Sequence, residues 1–344
     1  MDRINWGIVG AGHIAGRFAE SLAHEPSSRL VAVSGRRAEK LTAFCAAHPD
    51  VTADACVYAD DELGGDGAGA KALLADSRVD AIYLALPHGM HVEWAVRALR
   101  AGKAVLCEKP AVLSAGEARE ISATAQETGN LFMEAMKCRF VPLHKRICAA
   151  LDADGLGAVT GVMAVQKVDY GEARGGYLVD KKQGGALYDL GCYCASWVEE
   201  FQPGDISLNG VDVRWRKVTR PGADPYRVDW ADDARFAIGG KPAHLVCDGA
   251  APFESLVTIA CERGRIEVER LHRPETARVI LADGTVHELN APYDHDDFYG
   301  EIEHFCKLLR TGAKESPVMP LAATIRNAQI IDAIRAGYAT GKDA

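Results

Sequence analysis

The chain has 344 residues, 48% apolar and 25% charged, with a formal net charge of −9. That length accommodates two domains with substantial cores. The acidic balance, with no run of Lys or Arg, argues against a nucleic-acid backbone or an anionic membrane as partner and leaves a small-molecule substrate. The opening MDRINWGIVGAG lacks the basic start and long apolar core of a signal peptide, and no apolar run is long enough to span a bilayer, so a cytoplasmic location is expected. Ten cysteines include Cys192 and Cys194 in CYC, but no CxxC and no Cys/His spacing suits zinc, so reduced core thiols and no metal are expected.

In chain order, INWGIV, a helix to about His24, RLVAVS, a helix to about Ala47, VDAIYLAL, a helix to about Arg100, KAVLC (Lys103 to Cys107), a helix to about Thr128 and NLFMEAM alternate along the first third. Runs apolar throughout, alternating with helices, predict a doubly wound parallel sheet of Rossmann type covered on both faces, assigned to residues 1–133. DELGGDGAGAKALL, from Asp61 to Leu74, reads as a surface loop leading into a helix.

Residues 134–344 change rhythm. A helix, the long strand VTGVMAVQKV, a Gly-rich loop and the helix GALYDLGCYCASWVEEF precede seven β-rich segments: VDVRWRKV, DARFAIG, AHLVCDG, ESLVTIAC, RIEVER, ARVILA and TVHEL. With no crossover helices between them, these predict an α+β domain on a large, mainly antiparallel sheet. FYGEIEHFCKLLRTG and LAATIRNAQIIDAIRAG close the chain as helices, each ending at Gly.

Gly10-Ala11-Gly12-His13-Ile14-Ala15 fits GxGxx(G/A) between the first strand and first helix. Gly10 permits the tight turn, Gly12 admits a pyrophosphate against the backbone, and Ala15 allows close helix packing. At the end of the second strand, where an NAD-binding domain usually carries an acid for the ribose hydroxyls, stand Ser34, Gly35, Arg36 and Arg37. A hydroxyl and two guanidinium groups suit a 2′-phosphate, so NADP is the expected cofactor, with NAD possible. The alternative is that the arginines only begin the next helix on a solvated face.

KAVLC, counted as the fifth parallel strand, delivers Glu108 and Lys109 to the carboxyl edge where doubly wound sheets bind ligands. Pro110 also has the ordinary use of stopping a strand. The glycine motif, AGKAVLCEKP, FMEAMKCRFVP and GGALYDLGCY, in that order, together resemble the Gfo/Idh/MocA oxidoreductases. The resemblance is closest to the branch with dimeric dihydrodiol dehydrogenase and NADP-dependent D-xylose dehydrogenases, which ESPVMPLAATI also fits. It covers nearly the whole chain.

The resemblance implies a cofactor site of Gly10, Gly12, His13, Ile14, Ser34, Arg36, Arg37, Leu86, Pro87, His88, Glu108 and Lys109, with Lys109 beside the nicotinamide and the substrate hydroxyl. It also makes Asp189 and Tyr193 catalytic partners of Lys109. Residues four apart share a helix face, so both can meet one ligand. Read alone, Tyr193 is a core aromatic and Asp189 a mid-helix acid bonded to backbone. His88 and His91 of PHGMH follow the fourth strand, where the family approaches the nicotinamide, or simply begin a helix.

Where related members carry an aromatic, this chain has Lys137, which makes a pocket edge more polar and favours a sugar over a flat aromatic diol, unless its long stem carries the charge to solvent. Lys137, Arg139 and Tyr177 join Lys109, Asp189 and Tyr193 as expected substrate-binding residues. The loop GEARGGYLVDKKQGG reads as a specificity-bearing lid or a plain connection. The family's habit of pairing C-terminal sheets implies a homodimer or a dimer of dimers.

The function expected is therefore NADP-dependent hydride transfer to or from a sugar or polyol. Rival readings are a trans-dihydrodiol dehydrogenase, a glycosidase that oxidises its sugar transiently with NAD, and a binding module or redox sensor that keeps the dinucleotide without catalysis.

Overall fold

A computed structural model describes residues 3–153, 155–171 and 175–338. Residues 172–174 of the Gly-rich loop therefore lie outside the described residues. Two compact units form: one from the chain to Val112, Gly116–Lys137 and Asp294–Leu321, the other from Leu113–Ala115, Cys138–Tyr293 and the chain from Ala322. Where the sequence reading sets a single boundary at 133/134, the chain thus returns to the first unit near its end.

The first unit holds a six-stranded sheet of β1 (Ile4–Val9), β2 (Ser28–Gly35), β3 (Cys56–Ala59), β4 (Ala81–Leu84), β5 (Ala104–Glu108) and β6 (Phe132–Ala135). All neighbours are parallel, in the order β3-β2-β1-β4-β5-β6. β3, in the short run ACVYA that the sequence reading passed over, supplies the strand that the count of five presupposes. The predicted loop after it begins as a short helix, Asp60–Leu63, before the helix Ala68–Ala75. The strand order reverses between β1 and β4, so a crevice opens at their carboxyl ends.

Trp6 on β1 is fully buried, 5.2 Å from Phe18 of the helix His13–Leu22 and 5.2 Å from Phe305 of the helix Tyr299–Thr311. Phe18 in turn stacks on Tyr83 at 3.8 Å. Burying each such ring stabilises by roughly 1.5–3 kcal/mol. That is what recruits the late helix to the N-terminal core. Its periodicity announces a helix but not which core receives it.

The second unit holds β7 (Val159–Lys167), β8 (Ile206–Val218), β9 (Tyr226–Ile238), β10 (Lys241–Asp248), β11 (Glu254–Cys261), β12 (Gly264–Glu269), β13 (Thr276–Leu281) and β14 (Val286–Asn290). Their order is β14-β13-β12-β11-β7-β10-β9-β8, antiparallel except for β7 and β10. Burial alternates along β10 and β11, so one face is covered, in part by the helix Cys192–Phe201 against β7 and β10. Among the described residues no helix is long and apolar enough to cross a membrane.

A buried ionic network ties two helices of this unit. Arg139, 3% exposed, donates Nε to Ser196 Oγ and Nη2 to the Ser196 carbonyl, both at 2.8 Å, and Nη2 also to Glu199 at 2.6 Å. His144 meets Glu200 at 2.9 Å through Nε2 and Cys148 at 3.8 Å through Nδ1. The imidazole thus stands between thiol and carboxylate in a chain, and Arg139 lies 3.6 Å from the same carboxylate. Although the three donors lie within 4.8 Å of one another, this is hydrogen bonding rather than a chelate.

Burial alone would lower His144, but the hydrogen bonds with Cys148 and Glu200 raise it to about 9. A histidine raised above its ordinary value contributes stability that is complete below that value and lost as pH climbs through the folded one. Unfolding in urea should therefore show stability falling between about pH 6.5 and 9, by up to about 3 kcal/mol, and His144→Gln should flatten that slope. An identical slope in the variant would assign the titration elsewhere.

Candidate active site

The glycine motif performs as its spacing implies. Gly10 has φ +98°, and a Cβ there would stand 2.4 Å from the Ala85 carbonyl oxygen, so only glycine fits. At Gly12 a Cβ would meet nothing within 4 Å. The space in front of that backbone is open to a ligand. Gly12 caps the helix His13–Leu22, whose first turn has no side-chain cap and no acid, so its N-terminal amides and dipole favour an anion.

In front of these lies a cleft of about 550 Å³ in the first unit, lined by Gly10, Gly12, Ser34, Arg36, Arg37, Leu86 and Pro87 among others. Those seven are expected cofactor residues. His13 and Ile14 open the helix and are exposed, whereas His88 is buried. Ser34 is fully buried, its hydroxyl turned toward the Ile8 carbonyl at 3.5 Å, which leaves Arg36 and Arg37 as the phosphate-seeking groups at the end of β2.

The sequence reading missed two residues there. Lys40, one turn into the next helix, lines the same cleft and adds a third cation. Asp61 accepts the Ala38 amide at 3.0 Å and so fixes the turn that carries both arginines. Lys40 was legible in principle, three residues beyond Arg37 on a helix start; Asp61 was not.

Lys109 follows β5 on a backbone pinned from several sides. Glu108 accepts the Lys109 amide at 3.1 Å and the Tyr83 hydroxyl. Buried Glu134 accepts the Ala111 amide at 3.0 Å. His91, fully buried, sets Nδ1 2.9 Å from the Pro110 carbonyl and Nε2 2.8 Å from the Leu86 carbonyl. Burial pulls His91 below the usual imidazole range, so the neutral ring donates to one carbonyl at a time. His91 therefore braces the lysine turn against the cleft wall, and Glu108 faces Tyr83 and backbone.

Two expected substrate residues have protein partners in the structure. The Lys137 ammonium is buried against Asp297 and lies 4.7 Å over the Phe298 ring; Asp297 also takes Arg17 at 2.5 Å. Burial would raise Asp297, but the two cations hold it below the usual carboxylate range. Lys137 thus anchors the segment that carries Asp297. Arg139 is likewise committed to Ser196, Glu199 and Glu200. The ion partners lie far along the chain, beyond the reach of local patterns.

In the second unit, Leu187–Gly191 forms a π-helical turn that continues into the helix Cys192–Phe201. Such turns recur at functional sites. Asp189 lies in it and accepts hydrogen bonds from the Tyr170 hydroxyl and, at 3.3 Å, from Tyr177. Tyr177, half-exposed, is thereby placed beside Asp189, and Tyr170 is a partner that no spacing disclosed. Tyr193 opens the following helix, 8% exposed, with its ring 5.9 Å from His272.

A doubly wound sheet, a glycine cradle with an uncapped helix behind it, and a cationic strand end define a dinucleotide-binding protein. A family model described as an oxidoreductase family with an NAD-binding Rossmann fold, Gfo/Idh/MocA, matches residues 4–136. The trans-1,2-dihydrobenzene-1,2-diol dehydrogenase of Xenopus tropicalis is 30% identical over 341 residues, covering 95% of this chain and 96% of its own. The scyllo-inositol 2-dehydrogenase (NADP(+)) IolU of Bacillus subtilis is 28% identical over 339 residues, 96% of each chain. Among solved structures, KijD10, a 3-ketoreductase from Actinomadura kijaniata in complex with NADP and TDP-benzene, has a TM-score of 0.81 at 26% identity, covering 97% of this chain and 98% of that one.

The chain belongs to the Gfo/Idh/MocA oxidoreductase family. It is an NAD(P)-dependent dehydrogenase or reductase acting on CH–OH groups.

Proposed function

We propose that the protein is an NADP-dependent dehydrogenase of a sugar or polyol, working in oxidation or in the reverse reduction. The observation that carries the cofactor choice is the end of β2, where Arg36, Arg37 and Lys40 line the cleft and no carboxylate from that strand takes the ribose position. When bound, the dinucleotide supplies the hydride acceptor or donor at its nicotinamide. Gly10, Gly12 and the helix start would hold its pyrophosphate, and the arginines its 2′-phosphate.

Lys109, Asp189 and Tyr193 are the proposed proton-handling groups. Tyr193, as the phenolate that the Lys109 charge favours, accepts the hydroxyl proton of the substrate during oxidation and becomes the neutral phenol, and Asp189, held by two tyrosines, orients the substrate. The named relatives act on an inositol and on a cyclic diol, which supports a vicinal hydroxyl pair as the recognised element. Because Lys137 is bound to Asp297, it no longer weighs against aromatic diols, so the trans-dihydrodiol reading stands as the second candidate. The proposed setting is the cytoplasm. The proposed assembly is a homodimer through the outer face of the eight-stranded sheet, where Met163 is 36% exposed.

NADP should bind more tightly than NAD, and Arg36→Ala should weaken NADP by about ten- to a hundredfold while leaving NAD within about twofold, as expected for one lost bidentate phosphate contact. Equal binding of the two cofactors by the wild type would refute the preference. A panel of inositols, aldoses and trans-dihydrodiols, followed at the NADPH absorbance band, tests the substrate class. Stoichiometric NADPH formation with polyols or sugars is expected; turnover confined to the aromatic diols would install the second candidate. Cleavage of glycosides with no net NADPH would point to transient-oxidation chemistry instead.

A further inference from the structure

The carboxylate beneath the Asp189 turn comes from a strand some forty residues on, brought there by a bulge. β8 and β9 pair Arg214 with Ala231 and Trp215 with Asp229, so Trp230 is an extra residue in β9. One inserted residue re-aims the side chains beyond it. Asp229 and Asp232, three apart and otherwise on opposite faces, are both turned inward and are 2% and 1% exposed.

Asp229 Oδ2 accepts the amide of Leu187, first residue of the π-helical turn, at 2.8 Å. Gly185, with φ +107°, packs against the same group, and a Cβ there would stand 2.2 Å from Oδ1. Arg335 brings Nη1 to 3.7 Å from Oδ1 and lies 4.8 Å over the ring of Tyr188, inside the turn. Asp232 accepts from Tyr338 at 2.6 Å and from the Cys247 thiol at 3.5 Å. Burial raises both carboxyls, and the charge of Asp229 raises Asp232 further. Of the two, Asp229 is the one faced by Arg335.

We propose that Asp229 is a positioning residue for the reaction: it holds the first amide of the π-turn and thereby sets where Asp189 stands relative to Tyr193. A helix start leaves its first amides without internal partners, and a buried amide without an acceptor is costly. Without Asp229 the wide turn would relax toward an ordinary α-helical one, rotating Asp189 away from its place. The inference rests on Asp189 and Tyr193 facing the substrate.

The test compares Asp229→Asn, which keeps an acceptor oxygen, with Asp229→Leu, which has similar volume and none. With kcat expressed per NADP-binding site, the Asn variant should lose less than about threefold and the Leu variant more than about tenfold, both keeping the NADP Kd within about twofold. A residue that merely supports the fold would lower the unfolding midpoint and leave kcat per site unchanged. That result in the Leu variant overturns the proposal. If the Leu variant does not fold, Gly185→Ala presses on the same carboxylate with its acceptor intact. Loss of kcat at unchanged NADP affinity is then expected, and normal kcat overturns the proposal. Tyr193→Phe separates the two claims: near-normal kcat there sinks the reading of the turn itself, whereas an inactive Tyr193→Phe beside a fully active Asp229→Leu sinks only the role of Asp229.

Discussion

Lys109→Met is expected to leave NADP bound while lowering kcat by about a hundredfold to ten-thousandfold, the range that a positioned acid or base supplies. The cofactor groups identified in the cleft belong to β1, β2, β4 and the segments that follow them, not to the turn after β5 that carries Lys109. A free phenol titrates near 10, so a tyrosine is a weak base at neutral pH unless a cation favours the phenolate. Removing that cation should push upward the apparent pKa through which alcohol oxidation gains activity as pH rises. Tyr193→Phe should likewise spare cofactor affinity, because the ring still packs and only the hydroxyl is lost. If the two side chains act as one unit, the double variant should be scarcely slower than the worse single one. Strictly multiplicative losses would show that they act separately, and a vigorous Tyr193→Phe enzyme would reduce Tyr193 to packing.

Local order was readable wherever the cause was local. The β-rich segments of β10 and β11, the apolar runs of β1, β2, β4 and β5, and the glycine spacing at residues 10 and 12 each express a neighbour-to-neighbour constraint, and each became the element or turn it implied. β3, a four-residue strand at the sheet edge with only Ala59 buried, went unmarked although ACVYA is apolar. Side-chain partners that lie far along the chain were not legible. Lys137, read at a pocket edge, pairs with Asp297, 160 residues on, and Arg139, expected to bind substrate, with Ser196 and Glu199. The π-turn is a further case. GALYDLGCYC reads as a continuous α-helix, whereas its first turn is π-helical and its first amide is taken by a buried acid delivered by a bulge in β9.

Two alanine substitutions in one motif should fail in different ways. Gly10→Ala puts a Cβ 2.4 Å from the Ala85 oxygen on a backbone with φ +98°. A left-handed non-glycine residue costs about 1–2 kcal/mol by itself, and the clash is with backbone that cannot rotate aside. The Gly10 amide donates to Ser34 at 3.0 Å and the Ala85 amide to Val9 at 2.9 Å, so relief would loosen the strand ends that build the cleft. A stability loss of about 3 kcal/mol or more is expected, with NADP binding falling alongside it. Gly12→Ala meets no protein atom within 4 Å and keeps φ at −100°, so its unfolding midpoint should stay close to wild type. Its methyl group would nevertheless occupy the space a pyrophosphate needs, and a tenfold or greater rise in the NADP Kd, about 1.4 kcal/mol, is expected. Urea unfolding and cofactor titration on both variants decide the matter. Wild-type NADP affinity in Gly12→Ala would remove the pyrophosphate from that cradle, and wild-type stability in Gly10→Ala would show that the turn can yield at Ala85.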